Sequence, residues 1–146
     1  MGKVILLVED SPEDANLTMR ALKKNNITNE VVVACDGAEA LDYLLGSGAH
    51  DGRDTSFMPV VVLLDLKMPK VDGIETLRRI RSNKITELIP VVILTTSNEE
   101  DDIARSYKMG ANSFMRKPVG YAQFTEAVKQ LGLYWLLLNE PPPSKG

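Results

Sequence analysis

An α/β fold built on a doubly wound, five-stranded parallel sheet is predicted by three observations. Strand-like and helix-like stretches alternate five times along a chain of 146 residues. The apolar runs at 4–8, 60–64 and 91–94 are unbroken, as strands covered on both faces are; a sheet with one wet face would alternate apolar with polar. Right-handed crossovers then leave few other ways to close five βα units into one domain.

Each element has a local reason. Residues 3–8 read as the first strand. Ser11 can cap the helix that follows, Pro12 suits its first position, and Glu13 and Asp14 favour its positive end. Leu17, Ala21 and Leu22 are expected to form its apolar face, with Asn25 and Asn26 closing it. The β-branched run at 31–35 is the second strand, and Asp36-Gly37 leads into a helix expected to turn Leu41, Leu44 and Leu45 inward. Residues 59–64 make the third strand, 73–83 a helix with Leu77 and Ile80 inside, and 89–94 the fourth strand. Asn98 is expected to cap a helix whose first turn holds Glu99, Glu100, Asp101 and Asp102, and Gly110 to end it. A fifth strand at 113–116 and a last helix over 121–138, with Phe124, Val128 and Leu131 facing the sheet, complete the pattern. Residues 1–138 are read as one domain and 139–146 as a disordered, proline-rich tail. The long connection at 46–58, at the sheet edge opposite the acidic cluster, is read as a tolerated surface insertion in preference to a partner-binding loop, with His50 simply exposed.

Composition excludes several function classes. A net charge of -3 argues against a nucleic-acid surface, which needs a basic patch. The first apolar stretch reaches Glu9 too early for a secretory signal or a membrane span, and Leu6 occupies the place where a myristoylation signal needs Ser or Thr. Cys35 is the only cysteine, so no internal disulfide forms. A cytoplasmic protein without a separate output module is the expectation.

In doubly wound sheets ligands bind outside the carboxyl ends of the strands. Glu9 and Asp10 follow the first strand, Asp65 the third, Thr95 ends the fourth, and Lys117 with Pro118 follows the fifth. Three carboxylates suit a hard divalent cation, and Mg²⁺, which keeps several waters, needs only two or three of them. The backbone carbonyl of Lys67 is a further candidate ligand. A hydroxyl from Thr95 and the ammonium of Lys117 suit phosphoryl oxygens. Asp65 is the candidate nucleophile, because its strand is central and leads into an exposed loop.

These residues give the chain a family resemblance. Val8-Glu9-Asp10, the segment 63–73, Pro90 to Thr95, and Lys117-Pro118 make residues 3–131 resemble the receiver domain of two-component response regulators. The separations of 30 residues from Asp65 to Thr95 and 52 to Lys117 are those usual in that family. The resemblance implies a flavodoxin-like (βα)5 fold with strand order 2-1-3-4-5. It makes Asp65 the phosphoacceptor, Glu9 and Asp10 the metal-site acids, and Thr95 and Lys117 the phosphate-sensing pair. It implies a sensor histidine kinase as phosphoryl source and a downstream protein as reader. Thr95 and Phe114 would move together as the switch, and Lys67 and Thr96 would tune dephosphorylation. Two positions depart from the family pattern: Thr96 stands where Ala or Gly is usual, and Phe114 where Tyr is common. The long second loop and the apolar run 133–138 are similar to single-domain receivers that partner phytochrome-type kinases. That run exceeds what one helix face can bury and is too short to span a bilayer; an intrachain cap over the sheet edge and a homodimer through the last helix both fit, the homodimer being favoured.

Two other functions are weaker. A Mg²⁺-dependent phosphatase working through an aspartyl phosphate needs a second acid two residues after the nucleophile, and Lys67 stands there. An adaptor that had lost the chemistry should lack an acid, the threonine or the lysine, and none is missing.

Overall fold

In the computed structural model, described for residues 3–68, 70–97, 99–118, 120–140 and 142, five parallel strands run in the order β2-β1-β3-β4-β5. The strands are β1 (Ile5–Val8), β2 (Val31–Ala34), β3 (Val61–Leu64), β4 (Val91–Thr95) and β5 (Ser113–Arg116). The helices are α1 (Pro12–Lys24), α2 (Gly37–Leu45), α3 (Gly73–Ser82), α4 (Glu100–Lys108) and α5 (Tyr121–Gly132). Strand order and fold class match the expectation.

The unbroken apolar runs are explained by two cores, one on each sheet face. Leu6, Val8, Val62, Leu64, Val91 and Ile93 pack with Leu41, Leu44, Leu77 and Ile80 of α2 and α3. Their neighbours Ile5, Leu7, Val61, Leu63, Val92 and Leu94 point the other way, onto Ala21, Leu22, Phe124, Val128 and Leu131 of α1 and α5. Successive side chains alternate faces, so a strand buried on both sides must be apolar at every position.

Capping follows the sequence where the cap residue is short and polar. Ser11, Asp36 and Asp72 each accept a hydrogen bond from the amide three residues on, opening α1, α2 and α3. The cap position of α4 is Glu99, which makes no such bond; Asn98, the expected cap, lies outside the described residues. So do positions 141 and 143–146 of the expected tail, and the first two residues.

Several expectations need correction. Leu17 and Leu45 are exposed, because the buried stripes run through Ala15, Thr18, Ala21 and Leu22 in α1 and Gly37, Ala40, Leu41 and Leu44 in α2. The last helix changes winding after Gly132: Leu133–Leu138 forms a π-helix, closed by the amide of Asn139 on the carbonyl of Tyr134. Trp135 and Leu136 pack on the α1/α5 core, while Leu133, Tyr134, Leu137 and Leu138 stay exposed.

The connection at 46–58 is anchored. Arg53 stacks on the ring of Tyr43 and donates to the carbonyls of Tyr43, Leu44, Asp54 and Phe57. It thereby satisfies carbonyls at the end of α2, whose last turn has no basic residue of its own. His50 is partly buried, edge-on to Tyr43, and sits 3.6 Å from the carboxylate of Glu39, whose other oxygen meets the Cys35 thiol at 3.1 Å. Part of the loop thus returns to the first turn of α2, and His50 is a packing residue.

Candidate functional site

Sheet register places the acids. Val8 of β1 lies beside Leu64 of β3, so the next residues, Glu9 and Asp65, leave adjacent strands side by side. Backbone bonds fix both: the Glu9 amide donates to Ala34 and the Asp65 amide to Val8. Carboxylate oxygens of Glu9, Asp10 and Asp65 lie within 4.8 Å of one another. Glu9 is buried, Asp65 intermediate and Asp10 exposed. Gly73 lets α3 start hard against this corner. A Cβ there would stand 2.4 Å from the Asp65 carbonyl oxygen and 2.5 Å from Leu66 Cα, and the Gly73 amide donates to the Leu66 carbonyl.

β5 delivers the cation. The Lys117 amide donates to the Thr95 carbonyl at 2.6 Å, extending the β4–β5 pairing past the strand ends. Its side chain, only 9% exposed, places Nζ 2.5 Å from Glu9 Oε1, 3.8 Å from Asp14 Oδ2 and 3.9 Å from Asp65 Oδ2. The tight partner is therefore Glu9, with Asp65 at the edge of ion-pair distance. Asp14 is a neighbour that the sequence pattern presented only as a helix-start acid.

Burial pushes the Glu9 carboxyl up to about 7, helped by the negative charge of Asp65 and opposed by the Lys117 ammonium and the Ser11 amide. Taking the carboxylate out of water thus outweighs the stabilisation that Lys117 gives its charged form. All three clustered ligands offer oxygen, the donor set a hard divalent ion takes. The residues fit such an ion.

Thr95 is buried at the end of β4, and its hydroxyl accepts a 3.4 Å hydrogen bond from the Ser97 amide. Ser97 in turn donates to Asp102 at 2.6 Å, tying this turn to the start of α4. Phe114, paired with Ile93, is half-buried against the α2/α3 core. Lys67 points its side chain to solvent. Thr96 is exposed and joins Asp14, Leu17, Thr18, Arg116, Lys117, Tyr121 and others in lining a cleft of about 340 Å³ beside the acids. None of the helices among the described residues is long and apolar enough to cross a membrane.

Comparisons with known proteins bear on the family and the fold. The family model "Response regulator receiver domain" matches residues 5–129. The probable methanogenesis regulatory protein FilR2 of Methanothrix harundinacea is 42% identical over 95% of this chain and 87% of its own. Response regulator Rcp1 of Synechocystis is 39% identical over 92% of this chain and 89% of its own; its crystal structure, an Mn²⁺-bound form, superposes with a TM-score of 0.87. The phosphorylated cyanobacterial phytochrome response regulator RcpA is 38% identical, with a TM-score of 0.89 over 98% of this chain and all of that one. The fold and the relatives converge, and the chain belongs to the response regulator receiver domain family.

Proposed function

We propose that this receiver domain is a phosphorylation switch in which Asp65 accepts a phosphoryl group from the phosphohistidine of a sensor histidine kinase. The observation that carries the reading is the meeting of Glu9, Asp10 and Asp65 carboxylates within 4.8 Å, with Lys117 Nζ 3.9 Å from Asp65. Glu9, Asp10, Asp65 and the Lys67 carbonyl would hold Mg²⁺. When bound, the ion neutralises charge on the phosphoryl oxygens. Lys117 moves from Glu9 toward the phosphoryl group, and the Thr95 hydroxyl, which accepts from the Ser97 amide, turns to donate to a phosphoryl oxygen. The space that Thr95 vacates admits the Phe114 ring, so the state of Asp65 is read on α4, β5 and α5 as a population shift. Phe114 has no hydroxyl, so the shift acts through packing.

Exposure to acetyl phosphate with Mg²⁺, followed by intact-mass measurement, tests this. One phosphoryl adduct per chain is expected, absent in Asp65→Ala and absent when the metal is chelated. Sustained donor turnover would point instead to a phosphatase, a reading that the exposed Lys67 at the leaving-group acid position speaks against. Thr96 stands at the cleft where water must approach. Thr96→Ala is expected to shorten the adduct's lifetime on the order of threefold, measured as loss of the adduct with time.

A phytochrome-type kinase is the proposed partner, supported by the full-length likeness to RcpA. Residues 1–138 act as the receiver unit and 139–146 as a tail. The output is a changed surface read by a downstream protein, with no nucleic acid or membrane involved. The exposed side chains of Leu133, Tyr134, Leu137 and Leu138 suit a homodimer through the last helix. Truncation after Gly132 should abolish dimers in sedimentation velocity; unchanged sedimentation of a dimer would refute that interface.

A further inference from the structure

Asp14 stands at the mouth of the site without belonging to its metal cluster. It lies in the first turn of α1, where Ser11 accepts its amide hydrogen bond. Its side chain is 46% exposed in the wall of the cleft, with one oxygen 3.8 Å from Lys117 Nζ. Asp65, 13% exposed, reaches the same ammonium at 3.9 Å. The two carboxylates thus share one cation, Asp65 from the enclosed side and Asp14 from the solvent side. In-line phosphoryl transfer places the leaving group beyond phosphorus from the attacking oxygen. An attack by Asp65 therefore sends the leaving group toward the open side of the site, where Asp14 waits.

We propose that Asp14, given the reading of Asp65 as phosphoacceptor, selects the class of phosphoryl donor, favouring phosphorus bonded to nitrogen over phosphorus bonded to a carboxylate oxygen. The charge balance of the two reactions supplies the reason. With phosphoramidate, an Asp65 oxygen forms the new P–O bond as the P–N bond breaks. The nitrogen, already protonated, takes the bonding pair and leaves as neutral ammonia. The donor brings a positive nitrogen toward Asp14 and leaves no anion beside it. With acetyl phosphate, the breaking P–O bond delivers its electron pair to acetate, so negative charge develops beside a carboxylate. Asp14 attracts the first leaving group and repels the second. A phosphohistidine belongs to the nitrogen-bonded class, and free acyl phosphates to the disfavoured one.

The test compares second-order phosphorylation rate constants for phosphoramidate and acetyl phosphate in the full chain with Mg²⁺, read by intact mass. Asp14→Asn, close in shape and uncharged, should shift the rate ratio toward acetyl phosphate by about threefold, and Asp14→Lys further. The shift should shrink at high ionic strength. A ratio unchanged in both variants overturns the proposal. Equal acceleration with both donors also overturns it, since Asp14 would then act only by restraining Lys117. Wild-type chain that takes no phosphoryl group from either donor would overturn the reading of Asp65 itself.

Discussion

Replacing Lys117 by Met is expected to tighten Mg²⁺ binding about tenfold, near 1.4 kcal/mol, while removing the phosphorylation response. Lys117 is ion-paired with Glu9, and it also reaches Asp14 and Asp65. A divalent ion must compete with it for the same oxygens, so its loss helps the metal. The phosphoryl group loses its ammonium partner by the same change. Without metal the variant pays in stability, because Glu9 becomes a buried carboxylate without its counter-ion. Protonation limits the damage. Glu9 already titrates near 7, above its ordinary value of 4.5, and burial is the main cause. A carboxyl raised on folding makes stability fall as pH rises from its unfolded value through its folded one. Losing Lys117 raises that folded value further. The deficit against wild type should therefore be larger at pH 8 than at pH 6, and Mg²⁺ should erase it. Urea unfolding at both pH values, with and without the ion, measures this. An equal deficit at both pH values would show that Glu9 is not the group responsible.

Arg81→Ala is expected to cost about 3 kcal/mol of folding stability, seen as a lower urea midpoint. The side chain leaves α3 and donates to the carbonyls of Gly110, Glu87 and Ile89 and to the side chain of Asn112, each at 2.8 to 2.9 Å. Asn112 uses the same oxygen to accept the Val91 amide. One guanidinium thus fixes the starts of both β4 and β5, the strands that carry Thr95 and Lys117. Burial lowers its pKa below the usual arginine value, yet it stays charged, and several charge-assisted bonds depend on it. Removal strands carbonyls that have little water to turn to. Arg81→Lys should recover less than half the loss, since a single ammonium cannot reproduce the fork.

Most of the fold was legible because the strands are buried on both faces and the caps are short polar residues beside Pro or Gly. Glu9, Asp10, Asp65 and Lys117 were legible because each follows a strand whose carboxyl end must face the same way. What stayed hidden depends on long side chains crossing between elements. Nothing in the order of residues says that Arg53 returns to α2, that Arg81 reaches the segments before both β4 and β5, or that Lys117 rests on Glu9 rather than Asp65. Leu17 and Leu45 misled because Thr18 is buried through its bond to the Asp14 carbonyl, and α2 buries Ala40 and Gly37, the latter where a side chain would collide with Thr76 and Val71. The change of winding at Leu133 has no distinctive residue to announce it.

The absence of a side chain at Gly73 has a mechanical meaning. The chain leaves the acceptor at Leu66 and is knotted back to the same point by the Gly73 amide, so what lies between forms a noose closed at its base. Its exposed lysines, Lys67 and Lys70, ride on that noose. The bond that closes it joins two backbone groups, so side-chain exchange at Lys67 or Lys70 removes neither partner of that bond. The rim can thus vary in charge while the tie at its base stays the same.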